Sequence, residues 1–308
     1  MIKPLGRVLA ATDLSAPSLH AVDRAFLIAS QTGAACSIVH ALGLGALTAM
    51  KEVLGQQYAA VSRKIADRQR ESLEAVASDP SRNRGVSASV DLLEGTATAA
   101  IPAHAEAIGA DLVVAGARGH GLLERFVLGS TASRLLRTSG HPVLIVKEPC
   151  SGPYRKALVA VDFSSGSKEA VEFARRVAPG AVLVLTHAFD VPFEGMMHYA
   201  GVADDVVQRY RIQARHRAQM QLNELAAATG LGEAEYVAVV VHGDAARQIL
   251  LQAEQRDCDL VVVRTHGSAM EHLLLGSVTK RVLDESRADV LVIVDEQTTP
   301  RPASAKTE

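Results

Sequence analysis

Residues 111–131 read DLVVAGARGHGLLERFVLGST, and this stretch decides the fold. A short apolar run, of the kind found in a strand buried on both faces, leads into Gly116. A glycine-rich segment follows, and Gly129-Ser130-Thr131 then opens a helical pattern. A strand that leads through glycines into a helix is the unit from which parallel α/β sheets are built.

The same alternation extends outward over the first half of the chain. Apolar, strand-like runs occupy about 7–12, 35–41, 86–92, 111–116 and 142–147, and helical patterns occupy 17–32, roughly 50–78, 96–109 and 130–139. Strands that alternate with helices predict right-handed βαβ units and a five-stranded, parallel, doubly wound sheet. We expect a flavodoxin-like strand order, although the alternation by itself leaves the order open.

The second half of the chain repeats the first. Residues 7–22 (RVLAATDLSAPSLHAV) match 156–171 (KALVAVDFSSGSKEAV), which aligns Asp13 with Asp162. Further landmarks correspond in the same order and at nearly constant spacing: His40 with His187, Gly95 with Gly243, Asp111 with Asp259, and the final strands 143–146 with 290–294. Such a repeat predicts two tandem domains. We place them at 1–149 and 150–296, joined by a Pro/Gly/Ser-rich linker, with a disordered polar tail at 297–308.

Composition excludes several classes of protein. A net charge of −2 over 308 residues, with 4% aromatic residues and no Trp, argues against nucleic acid as a partner. Three scattered cysteines fit a reducing compartment better than a disulfide framework. No segment has the roughly 18–20 apolar residues that a membrane span needs, and the N-terminus does not resemble a signal peptide. We expect a cytoplasmic protein that does not bind membranes.

The glycine-rich segment has the chemistry of a phosphate site. In an open parallel sheet, ligands bind beyond the carboxyl ends of the strands, where this segment lies. Gly116 and Gly119 let the backbone approach a bulky anion, because no Cβ stands in the way. The helix that starts after Gly129 offers free N–H groups, and Ser130 and Thr131 add hydroxyl donors.

Charged side chains could complete this site. Arg118 or Arg125 could balance phosphate charge, and Asp13 could accept hydrogen bonds from ribose hydroxyls or a base amine. Asp13 could equally cap the helix that follows it. The sequence contains neither GxxxxGK[ST] nor a GxGxxG directly after a strand, so neither a P-loop NTPase nor a Rossmann dehydrogenase is supported.

The spacing G-x2-G-x9-G-[ST], which Gly116, Gly119, Gly129 and Ser130 meet, resembles the ATP-binding signature of the universal stress protein family. An Asp after strand one, a His closing strand two, and the runs DLVVAG and GHPVLIVK extend the resemblance over nearly the whole chain. It implies flavodoxin-like (adenine nucleotide alpha hydrolase-like) domains that bind an adenine nucleotide and act in stress survival. The binding residues that it implies in the first copy are Thr12, Asp13, Ser15, His40, Gly116, Arg118, Gly119, His120, Gly121, Gly129, Ser130 and Thr131.

The resemblance also implies the ligand and the partners. The ligand would be ATP, ADP or AMP, with Mg²⁺ as an accompanying ion. The apolar final strands would be exposed sheet edges if left alone, so we expect them to pair with each other inside the chain. Two chains are expected to associate into a homodimer. Two alternatives stay open: a slow ATPase or autophosphorylating enzyme, and a nucleotide-free scaffold that uses segment 190–230, which we interpret as a loop plus a long exposed helix.

The second copy departs from the motif. Arg264 stands where the first glycine is expected, and eight residues, instead of nine, separate Gly267 from Gly276. A long side chain at 264 should distort or block the cradle. Asp162, Gly267, Gly276 and Ser277 remain, so a weaker site is the alternative to a purely structural role.

Histidines of the second copy raise one further alternative. His187, His242 and His266 each follow a strand, and imidazoles on one rim could bind zinc. Because strands two, three and four are not all neighbours, these three are not expected to converge, and we expect no metal site. Cys36 lies within a strand and is expected to be a buried packing residue.

Overall fold

A computed structural model of the chain describes residues 3–43, 51, 55–119, 128–190, 203–265 and 275–294. The strands are β1 Arg7–Ala11, β2 Ala35–Leu42, β3 Ala88–Glu94, β4 Leu112–Gly116, β5 Val143–Val146, β6 Lys156–Ala160, β7 Val182–Phe189, β8 Tyr236–His242, β9 Leu260–Arg264 and β10 Asp289–Ile293. The helices are α1 Ala16–Thr32, α2 Tyr58–Ser78, α3 Pro80–Asn83, α4 Ala97–Ile108, α5 Ser130–Thr138, α6 Ser167–Val177, α7 Asp204–Ala228, α8 Ala245–Gln255 and α9 Ser277–Glu285, and a single 3-10 turn covers Gly55–Gln57.

These strands form one sheet, in the order β3-β2-β1-β4-β5-β10-β9-β6-β7-β8. Neighbouring strands within each half are parallel, which confirms the α/β class and the two five-stranded doubly wound units. The order within each half is 3-2-1-4-5, which corrects the flavodoxin-like 2-1-3-4-5 that we expected. Both orders satisfy right-handed crossovers, so the alternation of strands and helices does not distinguish them.

The two halves join through their final strands. β5 and β10 pair antiparallel, with Leu144 opposite Leu291, and every residue of both strands is buried. The prediction that these strands cover each other is therefore confirmed. The pairing leaves β3 and β8 as the two outer strands of the sheet.

Local sequence explains the helix that borders the first site. Ser15 caps α1, Pro17 occupies its first turn, and Gly33 ends it at a φ of 73°, a left-handed value that suits glycine. The N–H of Gly33 donates to the carbonyl of Ala29. The inner face of the helix buries Phe26 completely against the sheet. These signals hold the N-terminus of α1 at the carboxyl end of β1.

A buried network of one ion pair and several hydrogen bonds connects the two halves with the linker between them. The Nε of Arg24, on α1, lies 3.3 Å from Oδ2 of Asp289, on β10, and its Nη1 donates to the carbonyl of Gly152 at 2.7 Å. The hydroxyl of Tyr154 donates to Asp289 at 2.6 Å, and the Arg24 guanidinium lies 4.0 Å from the centre of the Tyr154 ring. The backbone N–H of Lys147 donates to the other carboxylate oxygen at 2.8 Å. The linker is thus tied to both halves.

Lys147 also reaches the end of α9. Its ammonium donates to the carbonyls of Leu283 and Ser286, each at 2.6 Å. Burial lowers the pKa of Lys147 to about 8, although Asp284 and Asp289 favour its charged form. Burial raises the pKa of Asp289, and the Arg24 charge opposes that shift.

Two smaller predictions concern α7 and Cys36. The sequence predicts a long exposed helix within 190–230, and α7 confirms it, since four of its 25 residues are buried. The loop expected before it falls mostly outside the described residues. Cys36 is 3% exposed, and burial raises the pKa of its thiol to about 12, which confirms a packing role.

Candidate functional site

A tight turn after the first strand of each half aims its aspartate at the sheet edge. Leu14 adopts a φ of 64° and Phe163, its counterpart, a φ of 60°. Side chains disfavour this left-handed region by about 1 kcal/mol, so its recurrence marks a conformation that both halves need. The Oγ1 of Thr12 accepts from the N–H of Leu14 at 2.9 Å, and Oδ1 of Asp13 accepts from the N–H of Ser15 at 3.0 Å.

A histidine joins the ends of strands one and two in both halves. The Nδ1 of His40 lies 2.8 Å from the carbonyl oxygen of Thr12, and the Nδ1 of His187 lies 2.8 Å from that of Val161. A carbonyl only accepts hydrogen bonds, so Nδ1 carries the proton in both histidines. The Nε2 of a neutral ring is then left as an acceptor. The two rings are oriented in the same way at the two sites.

Glycines let three segments meet at the end of β4. A Cβ added to Gly119 would overlap the Asp13 carboxylate, and one added to Gly116 would lie 3.1 Å from the Pro17 carbonyl and from Ser18. The N–H of Gly129 donates to the carbonyl of Ala117 at 2.8 Å, which brings the start of α5 back beside β4. A Cβ on Gly116 would also lie 3.1 Å from the Arg118 carbonyl, so this glycine packs closely against both the turn after β4 and the first turn of α1.

These segments enclose a cleft of about 760 Å³ between β1 and β4, where the strand order reverses. Its wall at one end is the first turn of α5, whose N-cap residue, Gly129, has no side chain to cap the turn. The exposed residues Ser130 and Thr131 line the cleft at this turn, and uncapped N–H groups at a helix N-terminus are the kind of donors that suit an anion. The cleft can therefore accommodate a ligand that has an anionic group beside α5 and hydrogen-bond donors beside Asp13.

Most of the predicted residues meet at this cleft. Its lining includes Thr12, Asp13, His40, Gly116, Arg118, Gly119, Gly129, Ser130 and Thr131. Ser15 does not line it: its hydroxyl caps α1 by accepting from the N–H of Ser18 at 3.4 Å. His120 and Gly121 lie outside the described residues.

The first cleft also has an apolar wall, which the motifs in the sequence did not predict. Ala41, Ala97, Ile101 and Leu135 line the cleft, as does Ser18, whose hydroxyl lies 2.8 Å from that of Thr12. Ala97 and Ile101 are four residues apart on α4, so one helical face presents both. That periodicity was visible in the sequence, but the packing of α4 against β2 and β3 was not.

The second half contains a matching cleft of about 910 Å³. Three of the four residues predicted there, Asp162, Gly276 and Ser277, line it, and Gly267 lies outside the described residues. Oδ1 of Asp162 accepts from the N–H and the hydroxyl of Ser164, at 2.9 and 2.7 Å, and from the Ser167 hydroxyl at 2.8 Å. The aspartate therefore organises the start of α6.

Arg264 lines this cleft, and its guanidinium reaches α6. Its guanidinium lies over the backbone of Gly166, with Nη1 3.3 Å from the Ser164 hydroxyl and Nη2 3.9 Å from a carboxylate oxygen of Glu169. The side chain is 7% exposed. The guanidinium therefore packs against the neighbouring helix.

The histidines of the second half do not form a metal centre within the described part of the chain. No group of three or more His, Cys, Asp or Glu side chains there is placed to hold a metal ion. His242 contacts the Phe189 ring, with centroids 5.3 Å apart, whereas His187 contacts that of Phe163 at 4.3 Å. His266 lies outside the described residues. No helix among them has both the length and the apolar character needed to cross a membrane.

Known proteins resemble this chain in sequence and in structure. "Universal stress protein Rv2005c" of Mycobacterium tuberculosis is 31% identical over 196 residues, which are 59% of this chain and 61% of that protein. A universal stress protein structure from Archaeoglobus fulgidus covers 94% of this chain, which covers 96% of it, with a TM-score of 0.64 and 20% identity, and so shares the fold.

A further solved structure is described as a "universal stress protein in complex with cAMP". It is 24% identical to this chain, of which it covers 46%, with 98% of its own length matched and a TM-score of 0.33. The family model of the universal stress proteins matches twice, at residues 4–147 and 153–294. With both halves matched over nearly their whole length, the chain belongs to the universal stress protein family.

Proposed function

We propose that the first half, residues 1–149, binds ATP or a related adenine nucleotide in the cleft between β1 and β4. The observation that supports this most is the contact at Gly119, where a Cβ would overlap the Asp13 carboxylate. A backbone held that close to a polar side chain, beside an uncapped helix N-terminus, forms a cradle that only glycine fits. The site suits a ligand with both phosphates and hydroxyls.

The cleft separates two kinds of chemistry. Phosphate oxygens would accept from the N–H groups and hydroxyls at Ser130 and Thr131, and Arg118 would balance their charge. Asp13 would accept from ribose hydroxyls or a base amine at the other end. Apolar side chains of Ala97 and Ile101 would cover the base. The bound nucleotide would act as a signal and would not be the substrate of a reaction.

The second half, residues 150–296, has a separate part in this proposal. It pairs with the first through β5 and β10 and covers what would be an exposed sheet edge. We assign the chain to the stress response in the cytoplasm, with association into homodimers as a further hypothesis.

Gly119→Ala tests the nucleotide site. The added methyl should displace the Asp13 carboxylate, so titration calorimetry with ATP should show roughly tenfold or greater weakening, about 1.4 kcal/mol or more. Gly43→Ala is the matched control, because a Cβ there meets no atom of the described residues within 4 Å at the same edge of the sheet. Equal affinity in wild type and Gly119→Ala would contradict the site. ATP turnover well above background would favour the enzyme hypothesis instead.

A further inference from the structure

The two outer strands of the sheet differ in how their edges are protected. β3 carries two carboxylates, Asp91 and Glu94, and charged side chains on an edge strand discourage pairing with other chains. β8 reads YVAVVVH and carries no carboxylate, lysine or arginine. An apolar edge strand offers its backbone to a further strand. β8 is therefore the edge of this sheet that is suited to receive one.

The backbone groups of β8 alternate between β7 and the outer side. The N–H of Gly243, which follows β8, donates to the Phe189 carbonyl at 2.9 Å. Every second residue of a strand bonds to a given neighbour, so the odd-numbered residues of β8 pair with β7. Tyr236, Ala238 and Val240 then direct their N–H and C=O groups outward. Within the described part of the chain, no hydrogen bond reaches the outward groups of Ala238 or Val240.

The side chains of β8 alternate between two helices. Val240 belongs to an apolar core that includes Leu222 of α7, whereas Val239 belongs to the core that includes Ile249 of α8. Even-numbered side chains therefore face α7 and odd-numbered ones face α8. Val237, on the α8 face, is 43% exposed. A strand added beside β8 would send alternate side chains to these two faces.

A groove of about 810 Å³ lies between α7 and the end of β8. β8 contributes Val240 and His242 to its lining, and α7 contributes side chains at the spacing of one helical stripe: Gln208, Arg211, Ile212 and Arg215. Ile212 is 63% exposed. The groove thus combines two guanidinium groups with apolar surface.

The surface around this groove is positively charged. Between Val206 and Asn223, α7 has no carboxylate and four arginines: Arg209, Arg211, Arg215 and Arg217. None of the described residues that line the groove is an Asp or Glu, and Asp190 approaches at one end, where Oδ1 lies 3.6 Å from Nε2 of His242. The whole chain has a net charge of −2, so this positive charge is a local concentration. Carboxylates suit it, because guanidinium groups bind them with two parallel hydrogen bonds.

Two other occupants fit this edge less well. A second copy that paired its β8 antiparallel with this one would place both α7 helices on the same face, where their arginines repel. A nucleic acid would match the charge, but its sugar–phosphate backbone does not continue the alternating N–H and C=O groups of β8. An extended acidic peptide matches the charge and the backbone pattern together.

We propose that β8 binds an extended, acidic segment of a partner protein, which adds to the sheet as a strand and places its carboxylates against Arg211 and Arg215. Acidic residues of the segment would face α7 and would alternate with apolar residues beside Val237. Main-chain pairing supplies the affinity of such a contact, and the alternate side chains supply its specificity. The proposed nucleotide cleft lies between β1 and β4, so binding at either place can be lost without the other.

Fluorescence anisotropy with a labelled peptide measures this binding on the full chain. The probe has seven residues, the length of β8, and alternates Glu and Val between blocked ends. It should bind saturably, and a peptide with Lys in place of Glu should not. A peptide of the same composition, with Glu and Val in two blocks, should bind roughly tenfold more weakly, because it cannot send its carboxylates to one face.

Two sets of variants test the two kinds of contact. Arg211→Gln together with Arg215→Gln should weaken binding roughly tenfold or more, whereas Arg217→Gln, on the same helix but outside the groove, should change it less than about twofold. Ala238→Pro removes an outward N–H and no bond to β7, and should also weaken binding roughly tenfold. Thermal unfolding checks that each variant folds.

Peptides methylated on alternate backbone nitrogens replace Ala238→Pro if that variant does not fold. Methylation of the set that faces β8 should abolish binding, and methylation of the other set should leave it. Equal effects of the two methylated peptides would overturn strand addition, as would unchanged binding by a folded Ala238→Pro variant.

Other results would assign the surface differently and overturn the proposal. Equal affinity for the alternating and the blocked peptides, or no loss in the double arginine variant, would leave only general attraction between charges. Self-association in sedimentation velocity that Ala238→Pro abolishes would assign the edge to a second copy. A single-stranded oligonucleotide that binds more tightly than the peptide, and that the same arginine substitutions weaken, would assign the groove to nucleic acid.

Discussion

Arg24→Met should separate the charge of the junction network from its packing. Methionine keeps most of the length of the arginine stem but removes the guanidinium that faces Asp289. The carboxylate would stay in the interior, since Asp289 is 4% exposed and packs at the start of β10. It would keep hydrogen bonds from the Tyr154 hydroxyl and the Lys147 N–H, at 2.6 and 2.8 Å.

The expected loss follows from that burial. Removing one partner of a buried ion pair costs about 3–5 kcal/mol, because the other charge remains in a medium that solvates it poorly. The two surviving hydrogen bonds place this case near the lower end, at about 3 kcal/mol. Loss of the stacking between Arg24 and the Tyr154 ring, at 4.0 Å, adds up to about 1 kcal/mol.

The Asp289 carboxyl group determines how the stability of Arg24→Met changes with pH. Burial already raises the pKa of Asp289, and Arg24 opposes this. Without Arg24 the pKa rises further, so the folded variant takes up a proton at a pH where the unfolded chain does not. A raised carboxyl pKa contributes stability at low pH that is lost as the pH rises through it. The free energy of unfolding that Arg24→Met loses relative to wild type should therefore be smaller at pH 5 than at pH 8.

Urea unfolding at both pH values measures the effect. Arg176→Met is the matched control, because its partner Asp111 also lies at 3.3 Å but the two side chains are 15% and 20% exposed; about 1 kcal/mol or less is expected there. Adding Asp289→Asn to Arg24→Met removes the stranded charge and should recover part of the loss. A loss below about 1 kcal/mol for Arg24→Met, or a double variant no more stable than the single, would refute the reasoning.

Two further predictions concern titration and thiol reactivity. Burial lowers the folded-state pKa of Lys147 to about 8, below its ordinary value of 10.5, so its charge costs stability at neutral pH. Between pH 8 and 10 the free energy of unfolding of wild type should rise relative to that of Lys147→Met, by about 1 kcal/mol per pH unit; parallel curves would contradict this. Burial raises the pKa of Cys36 to about 12 and that of Cys258 to about 11, so a disulfide reagent at pH 8 should modify Cys150 alone at an appreciable rate. Two fast thiols in the native protein, or one that survives in Cys150→Ser, would show that a second cysteine is accessible.

Many elements of this fold were predictable because their signals are local. The strands and helices of the first half lie close to their predicted bounds, since buried parallel strands are apolar throughout and the helices end at glycines such as Gly33 and Gly109. The pairing of β5 with β10 followed from the exposure that either strand would otherwise have. Residues such as Asp13, Gly116 and Gly129 were placed at one edge, because parallel strands end together.

By itself, then, the sequence determined the repeat, the fold class, the junction strands and most of the glycines and polar residues that line the first cleft. Tertiary structure alone decided the strand order, the charge network around Asp289 and the direction of the Arg264 side chain. It also decided that Ser15 caps α1 whereas Ser18 lines the first cleft. The physical reason is the range of the interactions. Periodicity and turn chemistry act over a few residues, whereas the space over Gly166 exists only once β9 and α6, far apart in sequence, have packed together.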